Sequence, residues 1–89
     1  MSKGPRYDVA WKPSVLAKVQ DLPKRVRSAI GFAIYELQLD PTRHGVVKLT
    51  NEDDEYRYRT GDYRIIFTVN HGKLYIRIVG VGHRREVYR

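Results

Sequence analysis

Apolar and polar residues alternate along the last third of the chain, in three runs separated by short turn sequences. The runs are residues 56–60, 63–69 and 73–81, and each is rich in aromatic and β-branched side chains. Thr60-Gly61-Asp62 and Asn70-His71-Gly72 lie between them and have compositions typical of tight turns. The pattern therefore predicts a meander of three antiparallel strands.

Side chains alternate between the two faces of a strand, so residues two apart share a face. The apolar face of the second run consists of Tyr63, Ile65, Phe67 and Val69. In the third run one face consists of Leu74, Ile76 and Ile78, and the other of Tyr75, Arg77, Val79 and Val81. If the apolar faces point inward, Arg57, Arg59 and Arg64 come together on the outer face of the sheet.

The first half of the chain has the spacing of one short strand and two helices. Residues 7–11 alternate as in a strand, and Pro13-Ser14 begins a helix, with proline in the first turn and serine as a candidate cap. Residues 24–39 repeat apolar side chains at helical spacing, and Asp40-Pro41 ends that helix. The apolar positions are Val15, Leu16, Val19 and Leu22 in the first helix and Val26, Ile30, Ala33, Ile34 and Leu37 in the second.

Residues 44–49, between the helices and the meander, are predicted to be extended and to lead into a solvated acidic turn at residues 52–55. The order of elements is thus β-α-α-β-β-β. This order predicts an α+β fold, with an antiparallel sheet and a two-helix hairpin packed on one sheet face. With 89 residues and no repeat or linker, the chain is expected to form a single domain over residues 1–89.

Composition narrows the class of function. The net charge of +7 favours an anionic partner, such as RNA, DNA or an acidic protein. The absence of cysteine excludes disulfides and cysteine-based metal sites, and it fits a reducing cytoplasm. No apolar run approaches the roughly 20 residues needed to cross a bilayer, and no secretory signal follows Met1, so a membrane partner is not expected. The three histidines are scattered along the chain, and neither a metal site nor a cofactor is predicted.

The three arginines of the predicted outer face are the main candidates for chemistry. A guanidinium presents a planar fork that contacts phosphate oxygens at two points. Like charges on one small surface repel each other, and no acidic residue is expected on the same strand face to offset them. Solvated surface arginines are the alternative interpretation. The concentration of charge favours an anionic ligand.

Several segments, taken in order, resemble the RelE/ParE toxin superfamily. They are Lys48-Leu49, Tyr56-Arg57-Tyr58-Arg59, Gly61-Asp62-Tyr63-Arg64-Ile65-Ile66-Phe67 and Val81-Gly82-His83-Arg84-Arg85-Glu86-Val87-Tyr88. The resemblance covers nearly the whole chain. The ending resembles the RelE branch, because a tyrosine follows the final arginines. It implies a RelE-like fold and a toxin of a type II toxin–antitoxin system.

The resemblance also implies an activity. RelE-branch toxins enter the ribosomal A site and cut the mRNA there, which inhibits translation, whereas ParE-branch toxins act on DNA gyrase. By motif match the residues implied for cleavage are Arg57, Arg59, Arg64, Arg84 and Tyr88, with Arg85 as the alternative to Arg84. The implied reaction is attack of a ribose 2′-OH on the adjacent phosphate, without a metal ion, which gives a 2′,3′-cyclic phosphate and a free 5′-OH.

The general base of this reaction is left open by the sequence. Some relatives carry lysine where Arg57 and Arg59 stand, and because an arginine does not release its proton in this role, Arg59 fits electrostatic stabilisation better than base catalysis. His83 is one candidate, because imidazole titrates near neutral pH. Tyr88 is another, because neighbouring arginines favour a phenolate. A third alternative is that ribosomal RNA orients the nucleophile and no strong base exists.

Other basic residues are candidates for contacts with RNA or ribosome phosphates rather than for chemistry. They are Lys24, Arg25, Lys48, Arg77 and Arg85. The implied partners are the ribosome with its mRNA and a cognate acidic antitoxin, which together with this chain would form a hetero-oligomer able to bind operator DNA. Three hypotheses result: a ribosome-dependent mRNA endoribonuclease, a ParE-like gyrase inhibitor, and a non-catalytic member that binds only RNA or antitoxin.

Overall fold

The computed structural model describes residues 6–49 and 54–83 of the chain. Its elements are, in chain order, β1 (Asp8–Trp11), α1 (Pro13–Gln20), α2 (Lys24–Leu39), β2 (Val47–Lys48), β3 (Glu55–Thr60), β4 (Tyr63–Asn70) and β5 (Tyr75–His83). The predicted α+β class, the helical hairpin and the meander are confirmed. One element is additional, because the segment predicted to be only extended forms the two-residue strand β2.

Some of the predicted residues lie outside the described ranges. They are Arg84, Arg85 and Tyr88 of the tail, and Glu52 and Asp53 of the acidic turn. The other two acidic residues of that turn are described. Asp54 has a φ of 52°, which an aspartate tolerates better than most residues, and Glu55 begins β3.

The strands form one sheet in the order β1-β5-β4-β3-β2. The pairs β3–β4 and β4–β5 are antiparallel, as predicted, and the additional strand β2 pairs antiparallel with β3. The edge strand β1 differs, because it runs parallel to β5. These two strands are far apart in the chain and are not joined by a hairpin turn, so nothing forces them to run in opposite directions.

Helix α2 has the bounds that its apolar spacing predicts, and it supplies much of the core. Ile30, Ala33, Ile34 and Leu37 are all buried on one side of the helix. They belong to the same cluster as Ile65, Phe67, Ile76 and Ile78 of the sheet, each of which is fully buried. Removal of this apolar surface from water holds the helices on one sheet face.

Helix α1 begins differently from the prediction. Pro13 occupies the first helical turn, as expected, but the N-cap is Lys12, and its side chain makes no capping hydrogen bond. Ser14 therefore does not cap the helix. Val15 and Val19 are the buried residues of α1, and neither helix is long and apolar enough to cross a membrane.

A β-bulge in β5 decides which of its side chains enter the core. The pairing with β4 shifts between Ile66 and Phe67, which leaves Val79 as an extra residue. Past the bulge the alternation changes phase, and Val81 joins the core with 3% of its surface exposed. The prediction that Val81 shares the outer face with Arg77 is therefore wrong.

Leu74 also departs from its predicted place on the inner face. It lies in the turn before β5, with a φ of 56° and 39% of its surface exposed. A left-handed conformation costs a bulky residue about 1–2 kcal/mol. Its carbonyl accepts a hydrogen bond from the Asp8 N–H at 2.9 Å, which joins this turn to β1.

The bulge predicts unequal effects of the same substitution at two neighbouring valines. Val81→Thr places a hydroxyl in the core without a partner, and we expect it to lower the free energy of unfolding by about 1–3 kcal/mol. Val79→Thr, at a half-exposed position, should change it by less than about 0.5 kcal/mol. Denaturant unfolding of both variants measures the difference. Equal losses would contradict the bulge.

Candidate phosphate-binding face

Three arginines share the sheet face that points away from the helices, and we call Arg57, Arg59 and Arg64 the arginine face. Arg59 of β3 is paired directly with Arg64 of β4, and Arg57 is paired with Ile66. Residues that are opposite each other in an antiparallel pair point to the same side of the sheet. The structure therefore brings these three arginines together on the side where they were predicted.

The arginine face has two like charges opposite each other at one end and an acidic residue towards the other. Arg59 and Arg64 are direct cross-strand neighbours, a geometry in which the Cβ atoms are about 4.5–5.5 Å apart and like charges are unfavourable. The prediction that this face carries no acidic residue is wrong, because β3 begins at Glu55, two residues before Arg57. Glu55 therefore lies towards the Arg57 end of the face, and Arg59 and Arg64 face each other at the other end.

Two glycines of β5 lie across from β4 beside this pair. Arg64 is paired across to Gly82 of β5, and its neighbour on the same face, Ile66, is paired to Gly80. A Cβ atom on Gly80 would lie 3.4 Å from Ile66, so the glycine permits close packing there. As a result no β5 side chain stands beside Arg64 on this face.

His83 lies on the opposite side of the sheet from the arginine face. It is paired with Tyr63, whose side chain packs against the core, and the two rings meet edge to face with centroids 5.7 Å apart. The structure therefore does not place this candidate base beside the guanidiniums. Alternation explains the result, because His83 and Gly82 are consecutive and point to opposite sides.

The remaining described candidates do not form one cluster. Arg77 shares the sheet face of the arginines but is paired with Thr68, four residues from Arg64, or about 13 Å along the strand. Lys48 is paired with Tyr56 at the β2 edge and forms an exposed ion pair with Asp54 at 3.5 Å. These two residues are therefore separate from the Arg59–Arg64 pair.

Lys24 and Arg25 lie at the start of α2, on the helix side of the sheet. Arg25 borders a cavity of about 210 Å³ that is also lined by Thr60, Asp62 and Tyr63. These residues form the β3–β4 turn, and Arg59 and Arg64 flank the same turn. Arg25 is thus at the same end of the sheet as the arginine pair but on the other side.

A polar network on the helix side holds β3 in place. Tyr58, between Arg57 and Arg59, donates a hydrogen bond from its hydroxyl to Glu36 Oε1 of α2 at 3.0 Å. Glu36 Oε2 lies 3.6 Å from Arg43 Nη1, and the Arg43 guanidinium lies 5.8 Å from the centroid of the Tyr58 ring. Burial and the hydrogen bond to Glu36 raise the pKa of Tyr58 above its ordinary value. We did not predict this network, since only the helix–sheet packing brings its members together.

Acidic and histidine side chains are not clustered in the part of the chain that the structure describes. Within residues 6–49 and 54–83, no group of three or more histidine, aspartate and glutamate side chains is placed to hold a metal ion. The side chains that converge on the arginine face are cations. The arrangement is suited to binding an anion with several oxygens, such as a phosphodiester.

Comparison with known proteins places the chain in a family. Residues 9–88 match the family model described as the ParE toxin of the type II toxin–antitoxin system parDE. The match spans most of the chain, so the chain belongs to the ParE toxin family, within the RelE/ParE superfamily. The resemblance inferred from the motifs is confirmed.

Individual relatives carry the name RelE. The toxin RelE of Mycobacterium tuberculosis is 27% identical over 90 residues, and the alignment covers 100% of this chain and 93% of that protein. The archaeal RelE–RelB complex from Pyrococcus horikoshii OT3 superimposes with a TM-score of 0.79 at 30% identity, covering 91% of this chain and 98% of the relative. The toxin–antitoxin complex RelBE2 of M. tuberculosis gives a TM-score of 0.78 at 25% identity, covering 96% and 98%. The chain is thus a type II toxin with the RelE fold.

The repulsion between Arg59 and Arg64 predicts a salt-dependent gain in stability. Arg59→Gln should raise the free energy of unfolding by up to about 1 kcal/mol at low ionic strength, because it removes one of two like charges that face each other. The gain should fade in about 1 M salt, where charges are screened within roughly 3 Å. Thermal unfolding at both salt concentrations measures it.

Arg77→Gln is the matched control for this experiment, because it removes the same charge from the same sheet face far from the pair. We expect a smaller change in stability for Arg77→Gln. If Arg59→Gln is no more stable than the wild type at low salt, the repulsion is not significant.

The raised pKa of Tyr58 predicts how stability depends on pH. Because the folded protein favours the neutral phenol, this contribution is complete below the ordinary pKa of 10.0 and is lost as pH rises through the folded-state pKa. Tyr58→Phe should cost about 1 kcal/mol near neutral pH, the value of a typical hydrogen bond, and the difference from wild type should shrink above pH 10. Denaturant unfolding between pH 7 and 11 measures this.

Tyr35→Phe is the control for the loss of a tyrosine hydroxyl, since Tyr35 is an exposed residue of α2. It should leave the free energy of unfolding unchanged across the range. A difference for Tyr58→Phe that stays constant up to pH 11 would contradict the proposed role of its hydrogen bond.

Proposed function

We propose that this chain is a ribosome-dependent mRNA endoribonuclease that cuts mRNA in the ribosomal A site, inhibits translation and needs no metal ion. The single observation that carries the proposal is the arginine face, on which Arg59 and Arg64 are directly opposite. Two guanidiniums that face each other repel, but they are suited to binding the two non-bridging oxygens of a phosphodiester. The RelE relatives support the choice of this branch of the superfamily.

The protein does not have to supply a nucleophile, because the attacking 2′ hydroxyl belongs to the RNA substrate. The 2′ oxygen of a ribose forms a bond to the adjacent phosphorus, and the bond from phosphorus to the 5′ oxygen of the next nucleotide breaks. The 2′ hydroxyl loses its proton and the 5′ oxygen gains one, which leaves a 2′,3′-cyclic phosphate and a free 5′-OH. In the transition state between reactant and product, negative charge increases on the non-bridging phosphate oxygens.

Arg59 and Arg64 stabilise that charge in the proposed mechanism. A cation positioned before the reaction does not have to reorganise when charge develops, and this is usually a large term in catalysis. Arg57, next along the same face, holds the RNA backbone in line. Arg84, with Arg85 as the alternative, and Tyr88 complete the proposed set on the strength of the family resemblance.

We do not assign proton transfer to His83. Its ring packs edge to face against Tyr63 on the side of the sheet opposite the arginines. A general base must come within hydrogen-bond reach of the proton it removes. Two alternatives remain: Tyr88 acts as the base, or ribosomal RNA orients the 2′ hydroxyl and there is no strong base. His83 packs at the end of β5.

The other basic residues bind RNA outside the reacting phosphate in this proposal. Arg77 is placed to contact a flanking phosphate, because it lies on the arginine side at a distance from the pair. Lys24 and Arg25 at the start of α2, and Lys48 at the β2 edge, are placed to contact ribosomal RNA. Such contacts supply affinity that depends on salt and not on sequence.

The proposal includes the partners of a type II toxin. RelE relatives have been solved in complex with RelB antitoxins. We propose that this chain, acting in the cytoplasm, is neutralised by a cognate acidic antitoxin, with which it forms a hetero-oligomer able to bind operator DNA. The net charge of +7 favours each of these anionic partners.

A second candidate function is inhibition of DNA gyrase. The observation in its favour is that the matching family model is described as a ParE toxin. Under this hypothesis toxicity would not require the arginine face. Under the nuclease hypothesis it would.

Primer extension on mRNA in a reconstituted translation system tests the proposal. The wild type should produce cuts within A-site codons only when ribosomes are present. Arg64→Ala should reduce the cleavage rate by at least about 100-fold, because it removes a cation that faces the phosphate. Tyr88→Phe should reduce it by a smaller factor, and Arg77→Ala, the control on the same face, by less than about 10-fold.

Intact mRNA in the presence of wild-type protein and ribosomes would exclude the nuclease function. A gyrase cleavage assay on the same preparation would then test the second candidate. Cleavage that survives Arg64→Ala would show that the arginine face is not the active site.

A further inference from the structure

The end of β3 that carries Arg59 lies at the edge of the sheet. Strand β2 has only two residues, and they pair with Tyr56 and Arg57. Within the described residues, the part of β3 beyond Arg57 is therefore paired on one side only, with β4. An edge segment has unpaired backbone groups and opens more easily than a strand that is paired on both sides. The position of Arg59 thus depends more on contacts from outside the sheet than that of Arg57.

Tyr58 supplies such a contact. It directly precedes Arg59, and its ring packs against the core on the helix side of the sheet. Its hydroxyl donates the 3.0 Å hydrogen bond to Glu36 Oε1 of α2, 22 residues away in the chain. Because this side chain joins the backbone beside Arg59 to the helix, it restrains the edge segment from outside the sheet.

The connection between α2 and β2 closes around the Tyr58 ring. Gly45 has a φ of 99°, and a Cβ atom there would lie 3.3 Å from Tyr58 Cε1, so glycine permits this close approach. The Arg43 guanidinium lies 5.8 Å from the ring centroid, and its Nη1 lies 3.6 Å from Glu36 Oε2. We call Glu36, Arg43 and Tyr58 the Tyr58 network.

The same connection is ordered by its own hydrogen bonds. The Asp40 carboxylate accepts hydrogen bonds from the Thr42 hydroxyl and N–H at 2.8 and 3.0 Å. The Arg43 N–H donates to the Asp40 carbonyl at 3.2 Å, and the Val46 N–H donates to the Arg43 carbonyl at 3.1 Å. The connection therefore holds Arg43 against the Tyr58 ring.

We propose that Glu36 is a positioning residue for the arginine face and acts through Tyr58 on Arg59. It lies on the helix side of the sheet and does not contact the RNA. Its hydrogen bond keeps the edge segment where Arg59 faces Arg64, against the repulsion of the two guanidiniums. This role rests on the proposed function, because mRNA cleavage is the reaction in which Arg59 takes part.

Loss of this hydrogen bond should slow turnover more than it weakens binding. A displaced guanidinium stabilises the transition state less, whereas the other basic residues still bind the RNA and the ribosome. We expect Glu36→Ala and Tyr58→Phe each to lower kcat for mRNA cleavage at least about 10-fold, with KM for programmed ribosomes within about threefold of the wild type. The double variant should be no more than about twofold slower than either single variant, because both remove the same hydrogen bond.

Glu36→Gln is the conservative variant. Its amide oxygen still accepts a hydrogen bond from Tyr58, although the ion pair with Arg43 is lost. That ion pair is partly exposed and contributes little. We expect kcat to stay within about threefold of the wild type.

Asp21→Ala is the control for charge. Like Glu36→Ala, it removes one carboxylate from the helix layer, but Asp21 is an exposed residue at the end of α1. It should leave kcat unchanged. Slowing of Asp21→Ala equal to that of Glu36→Ala would assign the effect to net charge and overturn the positioning role.

Hydrogen exchange tests the restraint on β3 without ribosomes. We expect Glu36→Ala to speed exchange of the amide protons of residues 58–60 at least about fivefold, because the edge segment then opens more often. The amide protons of Ile76 and Ile78, in a central strand, report on unfolding of the whole domain. Faster exchange at these two residues with no change at residues 58–60 would show that the hydrogen bond does not hold the edge segment, and it would overturn the proposal.

Single-turnover cleavage in a double-variant cycle with Arg59 is the decisive experiment. In the Arg59→Gln background, Glu36→Ala should slow cleavage by less than about twofold, because the group that Glu36 positions is already absent. A loss of stability that acts on the whole domain would slow both backgrounds by the same factor. Equal factors would therefore overturn the proposal. Thermal unfolding confirms that each variant is folded at the assay temperature.

The outcomes for the wild type and for Glu36→Ala distinguish this proposal from the proposed function. If the wild type does not cut mRNA on ribosomes, the nuclease function is rejected and the positioning role with it. If the wild type cuts mRNA and Glu36→Ala cuts it at the same rate, the positioning role alone is rejected and the function stands.

Discussion

The cross-strand register of β3, β4 and β5 is the constraint on which both sides of the sheet depend. It directs Ile65 and Phe67 into the core beneath α2, and by the same alternation it directs Arg64 to the opposite side, across from Arg59. A shift of one residue would bury guanidiniums and expose the core. The energy that stabilises the hydrophobic core therefore also fixes the positions of the arginines.

The arginine face is held in a geometry that it would not adopt for its own stability. Arg59 and Arg64 repel each other, and their strands stay in register because burial on the other side, together with the Tyr58–Glu36 hydrogen bond, outweighs that repulsion. Cations that are held in place before an anion arrives do not have to be ordered when it binds.

Much of the fold and part of the site could be predicted from local sequence patterns. The helical spacing of apolar residues predicted the bounds of α2. The alternation of side chains along the strands predicted that Arg57, Arg59 and Arg64 share one side of the sheet. The bulge at Val79 could not be read from alternation alone, although the glycines at 80 and 82 are a signal for irregular strand structure. The parallel pairing of β1, the position of His83 against Tyr63 and the Tyr58 network depend on contacts between distant segments, which no local pattern specifies.

The central claim is that the arginine face binds the phosphate at which mRNA is cut. The most direct measurement is the structure, by electron cryomicroscopy, of this chain on a ribosome whose A-site codon carries a 2′-deoxy nucleotide at the cleaved position, so that no nucleophile is present. The account predicts that the adjacent phosphate lies within hydrogen-bond distance of Arg59 and Arg64. Density that places the mRNA against the helix side, or the chain outside the A site, would contradict it.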